Sequence, residues 1–131
     1  MGKIEAQYPS VNVSIAELNP EIPKRKYYTM ADQSKYIWFN GEIIPWEDAK
    51  IHVMSHVLHY GSGVFEGIKC YSTDEGPAIF RLGDHVHRLI QSGEKYGIQI
   101  PYDQDVLTQA CVDIVNANHF ENCYIRPIAF Y

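Results

Sequence analysis

The stretch from His52 to Tyr71, HVMSHVLHYGSGVFEGIKCY, decides how the rest of the chain is read. It sets a Gly61-Ser62-Gly63 turn directly against a strand that carries polar groups on an apolar background. Successive side chains in a strand point to opposite faces, so Phe65, Gly67, Lys69 and Tyr71 share one face and Val64, Glu66, Ile68 and Cys70 the other. The first face then offers an aromatic wall, a gap and a cation. A glycine inside a strand weakens it and marks close approach by a ligand or another backbone, so Gly67 points to a small-molecule pocket. Glu66, beside Ile68 and Cys70, is expected to make a structural hydrogen bond.

The flanking elements predict an α+β domain. Tyr36-Ile37-Trp38-Phe39, then Asn40-Gly41, then Glu42-Ile43-Ile44 read as a hairpin, because Asn-Gly between apolar runs is the strongest short hairpin signal. Ser72 to Gly76 forms a turn region and Pro77 to Leu82 a strand pairing antiparallel with 64–71. Val86, Leu89, Ile90, Gly93 and Tyr96 recur at helical spacing from about Asp84, with Gly97 as the stop. A second helix runs from about Asp103, its N-cap, to Asn118, with Val106, Leu107, Ala110, Cys111, Ile114 and Val115 on its apolar face. A final alternating strand spans Cys123 to Tyr131. Residues 1–34, interrupted by Pro9, Pro20 and Pro23, read as an irregular arm preceding a domain over 35–131.

Composition excludes several classes. With 131 residues, 46% apolar and 21% charged, the chain has the make-up of one globular domain of ordinary size, about 100 to 200 residues. A net charge of −5, with Lys24-Arg25-Lys26 as the one basic cluster, argues against nucleic acid or an anionic membrane as partner. No apolar run approaches the roughly 18 residues of a spanning helix. Cys70, Cys111 and Cys123 form no CxxC pair, which suits a reducing cytoplasm.

Six motifs follow one another in order: YIWFNGE at 36–42, W-E-D-A-K at 46–50, S-H-x-L-H-Y-G-x-x-V-F-E-G-I at 55–68, F-R at 80–81, H-x-x-R-L at 85–89 and YIRP at 124–127. Together they resemble the N-terminal domain of the branched-chain amino acid aminotransferases, pyridoxal-phosphate enzymes of class IV. The resemblance implies transfer of an amino group between leucine, isoleucine or valine and 2-oxoglutarate, in a homo-oligomer. It also implies that the lysine forming the Schiff base belongs to a second domain outside these residues, so the chain alone is expected to be inactive. D-amino acid transaminases and aminodeoxychorismate lyases share the fold, but His59-Tyr60-Gly61 and Tyr124-Ile125-Arg126 favour the branched-chain group. A reading from another class is a non-catalytic ligand-binding or assembly module.

The resemblance assigns Arg88 to the cofactor phosphate, whose oxygens suit a guanidinium fork. From spacing alone, Arg88 reads rather as a solvated helix charge paired with Asp84 four residues earlier. Arg126, a cation between Ile125 and Pro127 in an apolar strand, must meet an anion or face a cleft. The resemblance assigns it and Tyr124 to substrate carboxylates, and the alternative is an internal ion pair, with Glu66 as the candidate partner. Tyr60 and Phe65 match aromatic walls of the side-chain pocket, Tyr60 reaching into a neighbouring subunit, with core packing as the plain alternative. Lys69 stands where the family has arginine, so it is read as a point charge lacking the planar fork and not as the catalytic base. His52, His56 and His59 have metal-like spacing, but no nearby cysteine or carboxylate completes a set, so no metal is assigned. Gly61-x-Gly63 precedes a strand and not a helix, which rules out a dinucleotide fingerprint.

Overall fold

The computed structural model describes residues 34–131, so the predicted arm at 1–34 falls, but for its last residue, outside the described residues. Strands β1 (Tyr36–Phe39) and β2 (Glu42–Pro45) form the hairpin expected from Asn40-Gly41. Both turn residues have positive φ, 51° and 99°, which Asn and Gly tolerate and which matches the twist of a two-residue hairpin. A short 3-10 turn at Trp46–Asp48 and a loop lead to α1 (His56–Tyr60), closed by Gly61 in the left-handed region.

Strands β3 (Gly63–Phe65) and β4 (Ile68–Thr73) follow, then β5 (Gly76–Ile79), antiparallel to β4 across a tight turn. Helices α2 (Leu82–Lys95) and α3 (Gln104–Ala117) come next, and the chain returns through β6 (Cys123–Ile125) and β7 (Ile128–Phe130). The sheets are β1-β2, β3-β7 and β5-β4-β6, all antiparallel. Strand and helix are mixed with antiparallel connections, so the α+β expectation holds.

Helix ends follow local chemistry. Asp103 caps α3 by accepting from the Val106 N–H at 2.8 Å. At the end of α2, Gly97 donates to the Glu94 carbonyl and Ile98 to the Gly93 carbonyl, a Schellman arrangement that buries Ile98 behind the helix. Helix α2 begins two residues before the expected Asp84, because Arg81 takes a left-handed conformation and donates from Nε to Asp84 at 2.7 Å. Tyr96 and Val106, placed on apolar faces by their spacing, are exposed; periodicity identifies a stripe but not where packing ends.

The core contains Val64, Leu89 and Ile98, with Ile100 and Ala129 against them, while Ile68, Cys70 and Val86 are fully covered. Asn118 clips the hairpin to α3: its Oδ1 accepts from the Lys35 and Tyr36 N–H groups, and its Nδ2 donates to the Tyr36 and Ile114 carbonyls. Cys70, Cys111 and Cys123 are free, and burial pushes the Cys111 and Cys123 thiols up to about 11, which leaves them protonated and unreactive. No helix among the described residues is long and apolar enough to cross a membrane.

Candidate functional site

The predicted strands 64–71 and 123–131 are each interrupted once, at Glu66-Gly67 and at Arg126-Pro127, where the two interruptions face each other. The pairings Phe65↔Ile128 and Ile68↔Ile125 show that the register does not slip across the gap. Pro127 has no N–H to offer the ladder, so only its carbonyl takes part, accepting from the Glu66 N–H at 3.0 Å. Alternation survives the interruption. Val64, Glu66, Ile68 and Cys70 are buried, whereas Phe65 and Tyr71 are exposed and Gly67 and Lys69 half-buried.

On the open face Phe65, Tyr124 and Arg126 form one cluster. The Arg126 guanidinium lies 4.4 Å from the Phe65 ring centre and 5.0 Å from that of Tyr124, and its Nη2 donates to the Tyr124 hydroxyl at 2.8 Å. Among the described residues Arg126 makes no ion pair with a carboxylate, so the expected alternative partner, Glu66, is not used. Gly67 explains the arrangement. A Cβ there would stand 2.8 Å from Tyr124 Cζ and collide with its hydroxyl, so the close approach anticipated at this glycine is made by the Tyr124 side chain. Lys69, opposite Tyr124 in the ladder, extends toward Tyr71, with Nζ 5.8 Å from the ring centre.

Behind the strand, Glu66 is the one buried charged residue among those described. Its Oε1 accepts from Arg88 Nε at 2.5 Å and its Oε2 from Arg88 Nη2 at 2.5 Å, a side-on, two-bond pair reaching from α2. His85 Nδ1 stands 2.9 Å from the same Oε2. These contacts, Arg88 foremost and against the opposing effect of burial, hold the Glu66 carboxyl well down, at about 2. The intrahelical partner expected for Arg88, Asp84, is instead committed to Arg81. His85 was not singled out by sequence reasoning, although its i, i+3 relation to Arg88 was the signal that both share one helix face.

Tyr60 is not part of the Arg126 cluster in this chain. It lies on α1, 74% exposed, with its ring against His56 at 4.4 Å and His59 at 6.2 Å. The three histidines have separate partners: His52 Nδ1 accepts from the Met54 N–H, His56 Nδ1 meets Ser62 Oγ, and His59 Nε2 donates to the Val53 carbonyl. Among the described residues no three His, Cys, Asp or Glu side chains gather as metal ligands would.

The donor set fits a phosphorylated cofactor. Arg88 keeps 63% of its side chain exposed while its Nε–Nη2 edge is occupied, and its Nη1 end, without a partner among the described residues, suits phosphate oxygens. Arg126 provides a second cation, without a carboxylate partner among the described residues and bedded on the Phe65 and Tyr124 rings.

The model of the amino-transferase class IV family matches residues 63–130. The branched-chain-amino-acid aminotransferase of Salmonella typhimurium is 49% identical over 98 residues, which are 75% of this chain and 32% of the relative. The crystal structure of the Escherichia coli branched-chain amino acid aminotransferase superposes with a TM-score of 0.73 at 49% identity, covering 74% of this chain and 33% of that one. The T.th. enzyme of the same name, complexed with N-(5'-phosphopyridoxyl)-L-glutamate, gives 0.73 at 46% identity, covering 74% and 33%. The chain therefore spans about a third of the length of the curated relatives it matches. The matched region holds β3 to β7, with Glu66, Arg88, Tyr124 and Arg126 all inside it, and the chain belongs to the class IV aminotransferase family.

Proposed function

We propose that this chain is the N-terminal domain of a pyridoxal-phosphate-dependent branched-chain aminotransferase, which moves an amino group between leucine, isoleucine or valine and 2-oxoglutarate. The observation that carries the reading is Arg126, an exposed guanidinium on the Phe65 and Tyr124 rings with no carboxylate partner among the described residues. The relative bound to a phosphopyridoxyl-glutamate adduct supports both the cofactor and the acidic substrate.

When bound, pyridoxal phosphate would supply an electron sink for the substrate Cα–H bond and a carrier for the amino group. Arg88 binds its phosphate through the free end of the fork. Arg126 and Tyr124 bind the distal carboxylate of glutamate or 2-oxoglutarate, and Phe65 gives leucine an apolar wall. Gly67 leaves room for Tyr124, and Lys69 lends positive charge to the rim.

Exposed Val53, Met54, Leu58 and Tyr60 offer an apolar surface around α1, which supports a homo-oligomer in which Tyr60 reaches a partner's site. Cytoplasmic location fits the free cysteines. The test is an assay of the full-length protein with leucine, D-alanine and aminodeoxychorismate, each as the amino donor or substrate. Turnover of leucine with 2-oxoglutarate is expected, and turnover of only D-alanine or aminodeoxychorismate would replace this reading.

A further inference from the structure

We propose that Glu66 is a positioning residue for the cofactor phosphate, gripping Arg88 by its Nε–Nη2 edge so that the Nη1 end is presented to the anion. The inference rests on the phosphate-binding role given to Arg88 above and goes one step behind it. Glu66 itself touches no ligand in this account.

The Glu66 side chain is 7% exposed and that of Arg88 63%, so the carboxylate is anchored in the protein while the guanidinium stands at its surface. Glu66 is fixed by its backbone as well, since its N–H donates to the Pro127 carbonyl in the gap between the two ladders. An unpaired arginine on an exposed helix face samples many rotamers, and ordering it when an anion arrives costs conformational entropy. Two bonds of 2.5 Å to a fixed carboxylate settle that ordering beforehand. They occupy the Nε–Nη2 edge, where Nη2 also lies 3.3 Å from His85 Nδ1, and among the described residues the Nη1 end of the fork has no partner.

An opposing effect decides how the proposal can fail. The Glu66 charge offsets that of Arg88 and by Coulomb attraction alone would weaken its hold on a phosphate dianion. The positioning account requires the gain from order to exceed this loss. The two effects predict opposite signs for removal of the carboxylate charge.

The experiment measures dissociation constants of pyridoxal phosphate and of pyridoxal, which lacks the phosphate, for the full-length apoprotein and its variants. Glu66→Gln is expected to weaken pyridoxal phosphate about tenfold, the scale of one charge-assisted hydrogen bond, and to leave pyridoxal unchanged. In an Arg88→Ala background the same substitution is expected to add nothing. Tighter pyridoxal phosphate binding by Glu66→Gln, or equal weakening of both ligands, would overturn the proposal. Weakening by Arg88→Ala without weakening by Glu66→Gln overturns positioning alone, whereas an Arg88→Ala variant with unchanged affinity removes the assignment of Arg88 itself. Should Glu66→Gln fail to fold, Arg88→Lys answers the question from the other side. It keeps the cation but cannot make the side-on pair, so retained pyridoxal phosphate affinity overturns the proposal and a phosphate-restricted loss supports it.

Discussion

Arg88 and Arg126 occupy opposite sides of one strand and are held in opposite ways. Arg88 comes from a helix, stands exposed, and is gripped by a buried carboxylate that neutralises it. Arg126 comes from the gap between β6 and β7, lies on two aromatic rings, and among the described residues is tethered by one side-chain hydrogen bond, to the Tyr124 hydroxyl. Geometry is thus fixed at Arg88 and charge is left available at Arg126. Under the proposed function, a bound cofactor needs the first property, and an acid substrate that must enter and leave needs the second.

The sharpest way to break this contrast is Arg126→Ala in the full-length enzyme. Only a dicarboxylate presents a distal carboxylate to this cation, so glutamate and 2-oxoglutarate should lose about 1.5 to 3 kcal/mol of transition-state stabilisation. That is roughly a ten- to hundredfold fall in kcat/KM, with leucine little affected. Equal losses for all substrates would make Arg126 a structural residue and erase the distinction from Arg88.

Gly67→Ala tests what holds the open face in place. The added Cβ displaces the Tyr124 ring, and the hydroxyl that tethers Arg126 moves with it. Overpacking of this kind costs about 1 to 3 kcal/mol, to be read as a lower unfolding midpoint together with weaker 2-oxoglutarate use. A substitution that leaves both unchanged would show that Tyr124 can move freely.

A smaller effect, about 1 kcal/mol of stability in a chemical denaturation curve, is expected for Asp103→Ala, which removes the cap of α3. It is remote from the pairs at either arginine, so substrate selectivity should stay as it is. Selectivity that shifts with it would mean that stability, not local charge, governs the site.

The gentlest probe is pH. The Glu66 carboxyl is depressed from 4.5 to about 2 by Arg88, then His85, so its pairing contributes stability that is present above pH 4.5 and lost as pH falls through 2. Among the described residues Arg126 has no such carboxylate partner. Acid unfolding of Glu66→Gln should therefore be flatter between pH 4.5 and 2 than that of the parent. Coincident curves would show that the buried pair carries no native-state preference.

The same contrast shows how much was legible beforehand. Alternation from Val64 to Cys70 assigned every side chain to its correct face, because the register passes the gap without a slip. The Asn-Gly hairpin, the Asp103 cap and the Gly97 stop were legible because each rests on local backbone chemistry. What was not legible depends on contacts distant in sequence. The helical wheel offered Arg88 only Asp84, whereas its partner is Glu66, on a strand before the helix. Gly67 announced a close approach but not that Tyr124 makes it, since the Lys69↔Tyr124 pairing is a tertiary fact.

The most direct test of the account is a crystal structure of the full-length protein with pyridoxal phosphate and glutamate bound. The account predicts the cofactor phosphate on the Nη1 end of Arg88, with Glu66 still on the other edge, and the distal carboxylate of glutamate on Arg126 and Tyr124. A phosphate away from Arg88, or a glutamate side chain with Arg126 turned to a protein carboxylate instead, would contradict it.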